Sequence, residues 1–114
     1  YFYPERLVAP GNAAGAAEVR AMAQTHIGSM LDQLDAQLAG HGQPWLLGER
    51  YSAADPFAFV MGRWTRGFSG AASRPARERA HLGPYLQRML QRVGHAAAQG
   101  RKAFEPECAG KSAE

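Results

Sequence analysis

Apolar residues in the first third of the chain recur at intervals of three and four, as in a helix that buries one face. They are Val19, Met22, Ala23, Ile27, Met30, Leu31, Leu34 and Leu38. Polar residues occupy the other faces, so the spacing predicts an amphipathic helix over about residues 14–39. Gly40 can adopt the left-handed conformation that ends helices, and the following His-Gly-Gln-Pro interrupts the pattern.

A second predicted helix begins at Ser52 and is apolar around nearly its whole circumference, which is typical of a central helix. One face carries Phe57, Ala58, Met61, Trp64, Thr65 and Phe68, and another carries Phe59 and Val60. Gly62 weakens the helix, and we expect a neighbouring helix to approach closely there. The segment GFSGAASRP predicts a loop.

A third amphipathic helix contains Leu82, Tyr85, Leu86, Met89, Leu90 and Val93, with Pro84 in its first turn. The chain shows no alternating pattern of the kind that predicts strands. We therefore predict an all-α fold, an antiparallel helical bundle over residues 1–104, followed by a disordered tail over residues 105–114.

The start of the second helix carries an unusual amount of local information. Ser52 followed by Asp55 resembles a capping box, in which each side chain accepts a hydrogen bond from the other residue's backbone N–H. Asp55 also places negative charge at the positive end of the helix dipole. A helix that starts inside the core needs such a cap because water cannot reach its end groups.

Composition narrows the class of protein. The chain has 114 residues and one cysteine, Cys108, so an internal disulfide is impossible and a reducing cytoplasm fits best. No secretory signal and no apolar run long enough to span a membrane are visible. Because the chain begins at Tyr1 and not at Met, a missing upstream segment is one interpretation.

The string WLLGERYSAADPFAFVMGRW, residues 45–64, resembles the segment that opens the central helix of the C-terminal helical domain of glutathione S-transferases. The family pattern is Trp/Phe-Leu-x-Gly-x-Arg/Lys-Phe/Tyr-Ser/Thr-x-Ala-Asp. DQLDAQLAG before it and HLGPYLQRMLQR after it are similar to the flanking helices, so the resemblance covers about residues 2–98, with the bacterial beta-like class closest. The chain departs from the family at Arg92-Val93-Gly94-His95, where Arg-Pro is usual.

The resemblance implies a parent protein, a homodimeric cytoplasmic detoxification enzyme, that conjugates glutathione to hydrophobic electrophiles. A thioredoxin-like N-terminal domain, absent from this chain, would bind and ionise glutathione and carry the catalytic residues. The helical domain would bind the hydrophobic small molecule through Phe2 and Trp64, with Tyr1, Tyr3 and Arg63 beside them. We expect this chain alone to be inactive, to bind glutathione weakly, and to need no metal, nucleic acid or membrane.

Two alternatives stay open at the level of sequence. One is a non-catalytic protein-interaction module, as in the transferase-like part of the gamma subunit of elongation factor 1. The other is a truncated helical scaffold. Aromatic residues on an apolar helix face are also ordinary core residues, so Phe2 and Trp64 are compatible with a substrate pocket or with a purely structural core.

Other polar residues suggest structural roles. His26, His41, His81 and His95 lack the close pairing of metal ligands. Asp32 and Asp35 lie off the apolar face, which predicts a solvated surface. Five arginines between Arg63 and Arg79 predict a solvated loop and helix start in preference to a phosphate-binding surface.

Overall fold

The computed structural model describes the backbone of residues 1–69 and 74–108, and the side chains of residues 1–69 and 74–97. In these ranges it consists of three α-helices joined by loops and single turns of 3₁₀ helix. The α-helices are α1 (Ala13–His41), α2 (Ala54–Trp64) and α3 (Leu82–Cys108). The 3₁₀ turns are Pro4–Leu7, Thr65–Gly67 and Ala76–Glu78. These two ranges contain no β-strand, so the all-α prediction is confirmed.

The ends of α1 are closed by two local caps. Asn12 Oδ1 accepts a hydrogen bond of 2.9 Å from the Gly15 N–H, as expected of an N-cap. At the other end Gly42 has φ +61°, and its N–H donates to the Leu38 carbonyl. The prediction that Gly40 ends the helix is therefore wrong, because the left-handed residue comes two positions later.

The first turns of α3 form the centre of the core. Leu82, Tyr85 and Met89 are almost completely buried. The remaining core residues are Leu31, Leu38, Leu46, Ala58, Ala76 and Leu86. Helices α1 and α2 both pack against α3, and a Cβ placed on Gly62 would lie 3.2 Å from the Leu86 side chain. The close approach expected at Gly62 is therefore present.

Helix α2 is less central than its sequence predicts. Only Asp55, Ala58 and Gly62 are buried in it. Its four largest apolar side chains besides Phe59 are exposed, namely Phe57, Val60, Met61 and Trp64. The small residues face α3 because they permit close packing, and this orientation turns the large ones away from the core.

Asp55 is the most heavily bonded side chain at the start of α2. It is 0% exposed. Its Oδ2 accepts from the Ser52 N–H at 2.8 Å, and its Oδ1 accepts from the Leu46 N–H at 3.0 Å and from the Tyr85 hydroxyl at 2.8 Å. Burial raises the pKa of Asp55, but these hydrogen bonds outweigh it and the net shift is downward.

The Ser52 half of the capping box differs from the predicted pattern. Ser52 Oγ accepts from the Ala54 N–H at 3.3 Å, whereas the Asp55 N–H donates to the Ser52 carbonyl. Asp55 therefore supplies most of the hydrogen bonding at this helix start. Burial and the neighbouring Asp55 carboxylate raise the pKa of Tyr85, which keeps its hydroxyl a donor.

Asp35 of α1 caps the start of α3. Its Oδ1 accepts from the N–H groups of His81 and Leu82 at 2.8 and 2.7 Å. Burial raises the pKa of Asp35, and these two bonds bring the net shift below the usual range. The prediction of a solvated surface role is therefore wrong for Asp35, because the fold brings a distant helix end to it.

Arg79 provides a second link between α1 and the segment before α3. Its guanidinium is buried and donates to the Gly28 carbonyl at 3.1 Å and to Asp32 of α1. Burial lowers the pKa of Arg79. The sequence predicts that the arginines of this segment are solvated, and Arg79 is an exception because it is buried. Asp32 forms an ion pair with it.

The second half of α3 leaves the core, since residues 91–97 are all exposed. The helix continues to Cys108, so it enters the predicted tail, and residues 109–114 lie outside the described ranges. The altered Arg92-Val93-Gly94-His95 sequence does not interrupt it. Within residues 1–69 and 74–108, no helix has the length and apolar character that a membrane crossing requires.

Replacing Asp55 with Ala should lower the free energy of unfolding by about 3 to 5 kcal/mol, because three donors lose a buried charged acceptor. Ser52→Ala should cost only about 0.5 to 1 kcal/mol, since the Ser52 hydroxyl makes one long bond to the backbone and is one of several groups that bond Asp55. Tyr85→Phe keeps the carboxylate and removes one of its donors, so its loss of unfolding free energy should lie between those of the other two variants. Urea unfolding followed by circular dichroism measures all three, and equal costs for Asp55→Ala and Ser52→Ala would contradict this assignment.

Acid should weaken the fold partly through Asp55. Because the pKa of Asp55 is lowered in the folded state, its contribution is complete above about pH 4, where the unfolded carboxyl ionises, and is lost as the pH falls toward the folded pKa. Asp55→Asn should therefore show a shallower loss of stability between about pH 5 and 2. The control Leu47→Ala, an exposed position that removes no titrating group, should keep the wild-type slope. An Asp55→Asn slope parallel to that of the wild type would refute the effect.

Two glycines of α3 should respond oppositely to alanine. A Cβ on Gly83 would lie 2.5 Å from the Arg77 carbonyl oxygen, whereas one on Gly94 would meet nothing within 4 Å. Gly83→Ala should destabilise by about 1 to 3 kcal/mol through the clash with backbone. Gly94→Ala should stabilise by about 0.5 to 1 kcal/mol through helix propensity. Thermal unfolding of both variants tests this, and the same sign in both would show that the contact at Gly83 is relaxed without cost.

Candidate ligand-binding site

An aromatic cluster joins the start of the chain to the end of α2. The rings of Phe2 and Trp64 meet edge to face with centroids 6.5 Å apart. Tyr1 contacts Phe2 at 5.1 Å and the buried Phe68 at 4.7 Å. Phe68 thereby fixes Tyr1, and Tyr1 positions Phe2 beside Trp64.

The hydrogen bonds of Thr65, the next residue in the chain, fix the position of the Trp64 backbone. The Thr65 hydroxyl is buried, donates to the Gly62 carbonyl at 2.7 Å and accepts from the Ala76 N–H at 3.0 Å. Helix α2 ends at Trp64 and a 3₁₀ turn begins at Thr65. The Trp64 backbone is therefore fixed to the core, while its side chain is 55% exposed.

An apolar groove of about 310 Å³ lies between α1 and α2. We use this name for the concavity lined by Phe2, Ile27, Met30, Leu31, Leu34, Leu46, Ala54, Phe57, Ala58, Met61, Trp64 and Thr65. Its walls come from positions three and four residues apart on each helix, which place them on one face. Among the described residues that line it, the polar groups are the Thr65 hydroxyl and the Trp64 indole N–H, so the groove suits a largely apolar ligand.

A second concavity, which we call the arginine pocket, adjoins the apolar groove. It has a volume of about 420 Å³ and is lined by Phe2, Val60, Arg63, Trp64 and Arg66. Phe2 and Trp64 line both concavities and form the ridge between them. The site therefore has an apolar side and a cationic side that meet at one aromatic pair.

The residues singled out from the sequence fall into different positions. Phe2, Trp64 and Arg63 line one or both concavities, and Tyr1 supports Phe2 from the side. Tyr3 lines neither, and the Arg6 guanidinium lies over its ring at 4.7 Å. The structure thus groups four of the five around one site and separates Tyr3 from it.

Several residues that line the site were not identified from the sequence as ligand-binding residues. Met30, Phe57, Met61 and Arg66 are among them. The spacing of Phe57, Met61 and Trp64 signals a shared face, but the pattern alone assigns that face to the core. Arg66 belongs to a 3₁₀ turn, where no helical periodicity applies.

The histidines serve local structure where their contacts are described. His41 Nδ1 accepts from the Gln43 N–H at 2.9 Å, and its Nε2 lies 3.2 Å from the Leu46 carbonyl oxygen, to which it donates in that tautomer. His81 Nδ1 lies 3.4 Å from Asp35 Oδ2. Among the described residues, no group of His, Cys, Asp and Glu could hold a metal ion.

Comparison with known proteins places this chain within a family. The family model of the glutathione S-transferase C-terminal domain matches residues 17–88, which include the α1 and α2 walls of the groove and the buried half of α3. Searches of curated proteins and of solved structures gave no match. Because the match covers more than half of the chain, this protein belongs to the glutathione S-transferase C-terminal domain family.

Proposed function

We propose that this chain is the helical domain of a glutathione S-transferase-like protein and that its apolar groove holds the hydrophobic substrate. The observation that carries the proposal is an apolar groove left open beside an exposed aromatic pair, in a chain of this family. Large exposed apolar surfaces usually mark an interaction site. Phe57, Met61 and Trp64 of α2 line this one.

In this scheme a thioredoxin-like domain of the parent protein binds glutathione and ionises its thiol. Among the described residues that line the groove, none has a titratable side chain. They concentrate the electrophile, exclude water and orient its reactive carbon toward the thiolate, which is a contribution of proximity. A beta-like class, homodimeric assembly and a cytoplasmic location for the parent protein belong to the same proposal.

Phe2 and Trp64 have the most specific role in this proposal. An edge-to-face pair presents one ring face and one ring edge to a bound molecule, which favours flat aromatic ligands. The buried Thr65 hydroxyl bonds fix the backbone beside Trp64, and Tyr1, which packs on Phe68, contacts Phe2. The pair is thus preorganised, and binding would require little ordering of side chains.

A neutral fluorescent probe tests the groove directly. N-phenyl-1-naphthylamine should bind the purified chain, and Trp64→Ala should weaken its binding about tenfold, the effect of losing one aromatic contact of about 1.4 kcal/mol. Phe2→Ala should weaken binding severalfold. Fluorescence titration gives both dissociation constants, and circular dichroism confirms that each variant keeps its helices.

Leu47→Ala is the matched control, because Leu47 is an exposed apolar residue that lines neither concavity. Its affinity for the probe should equal that of the wild type. Binding that survives in both Trp64→Ala and Phe2→Ala would refute the groove as the ligand site. That result would favour the non-catalytic interaction module or the scaffold.

A further inference from the structure

We propose that the ligand of this site is an apolar anion, whose body fills the apolar groove and whose negative group lies between Arg63 and Arg66 in the arginine pocket. The inference rests on the proposed function, and it adds the charge of the ligand. A carboxylate or a sulfonate attached to an aromatic or alkyl body has the required chemistry.

The first argument is the continuity of the two concavities. Phe2 and Trp64 line both, so a molecule lying against this pair in the apolar groove has the arginine pocket directly beyond it. Together the two spaces, of about 310 and 420 Å³, match the size of ordinary small-molecule sites. One ligand can therefore reach both.

The second argument is the lack of a counter-charge. Among the residues described as lining the groove and the pocket, none is acidic. Within residues 1–69 and 74–97, neither Arg63 nor Arg66 has a carboxylate within ion-pairing distance. Two like charges beside a low-dielectric apolar surface create a positive potential that a ligand anion would neutralise.

Other arginines of the chain are engaged differently. Arg79 pairs with Asp32, and the Arg77 Nε lies 3.9 Å from a Glu78 carboxylate oxygen. The Arg92 guanidinium stacks on the Tyr51 ring at 3.9 Å. Arg63 lies 5.8 Å from the Phe59 ring centroid, which holds it against the wall of α2 and leaves its N–H donors available.

The third argument is the chemistry of the guanidinium group. Its planar fork donates two parallel hydrogen bonds to a carboxylate or a sulfonate, and it is weakly hydrated compared with an ammonium. Two such groups beside an aromatic ridge recognise an anion better than a neutral polar group. The same arrangement should reject cationic ligands of equal size.

Two probes that differ by one sulfonate provide the test. 1-Anilinonaphthalene-8-sulfonate is the anionic counterpart of the neutral N-phenyl-1-naphthylamine. Arg66→Gln and Arg63→Gln should each weaken binding of the sulfonate about fivefold to tenfold, as expected for the loss of a charge-assisted hydrogen bond at a partly exposed site. Binding of the neutral probe should not change by more than about twofold.

Arg50→Gln is the control, because Arg50 is exposed and lines neither concavity. It should leave both affinities unchanged. Raising the salt concentration from about 0.05 to about 0.5 M should weaken binding of the sulfonate to the wild type and leave binding of the neutral probe unchanged. The salt effect should be smaller in the Arg63→Gln/Arg66→Gln double variant.

The outcomes separate this inference from the proposed function. Neutral-probe binding that depends on Trp64, together with sulfonate binding that is the same in wild type and both arginine variants, would overturn the anion site and leave the groove standing. Failure of both probes to bind would overturn the groove and the anion site together. Equal weakening by Arg50→Gln and Arg66→Gln would show a general charge effect and also overturn the specific site.

Discussion

The buried carboxylate of Asp55 is the interaction on which the rest of the structure depends. It joins the loop before α2 through Leu46, the start of α2 through Ser52 and the first turn of α3 through Tyr85. A buried charge is tolerated only when hydrogen bonds replace the water it has lost, and here three donors do so. Once these bonds form, the start of α2 is fixed relative to α3.

The position of α2 follows from this anchor and from its small residues. With its start bonded to Tyr85, the helix packs on α3 through Ala58 and Gly62. The flanking face, which shares Ala58 with the groove, then carries the larger side chains of Phe57, Met61 and Trp64 away from the core. The apolar groove is thus a consequence of how the core is packed. The α2 side chains that are too large for the close α2–α3 contact form the α2 wall of the groove.

Two links from α1 complete the frame of the site. Asp35 accepts from the N–H groups of His81 and Leu82 at the start of α3, and Arg79 bonds back to α1 at Gly28 and Asp32. Both join residues that are more than forty positions apart in sequence. They hold α1 against α3, and α1 supplies the second wall of the apolar groove.

The arginine pocket depends on a local change of backbone. Helix α2 gives way to a 3₁₀ turn at Thr65, whose hydroxyl is bonded on both sides in the core. Arg66 belongs to that turn and lines the same pocket as Arg63, with Trp64 between them in sequence. The positive charges and the aromatic ridge are therefore positioned by one buried threonine.

The sequence by itself determined the helical class, the three main helices and the importance of Asp55 at the start of the second, because helical periodicity and capping are local properties. It also pointed to Phe2, Trp64 and Arg63 through a family resemblance. Only the tertiary structure decided which face of α2 is buried, because a helix apolar on all sides gives no orientation. It likewise decided that Asp35 caps α3, that Arg79 is buried and that Tyr85 bonds Asp55. These contacts join residues 30 or more positions apart, and no local pattern encodes a partner at that distance.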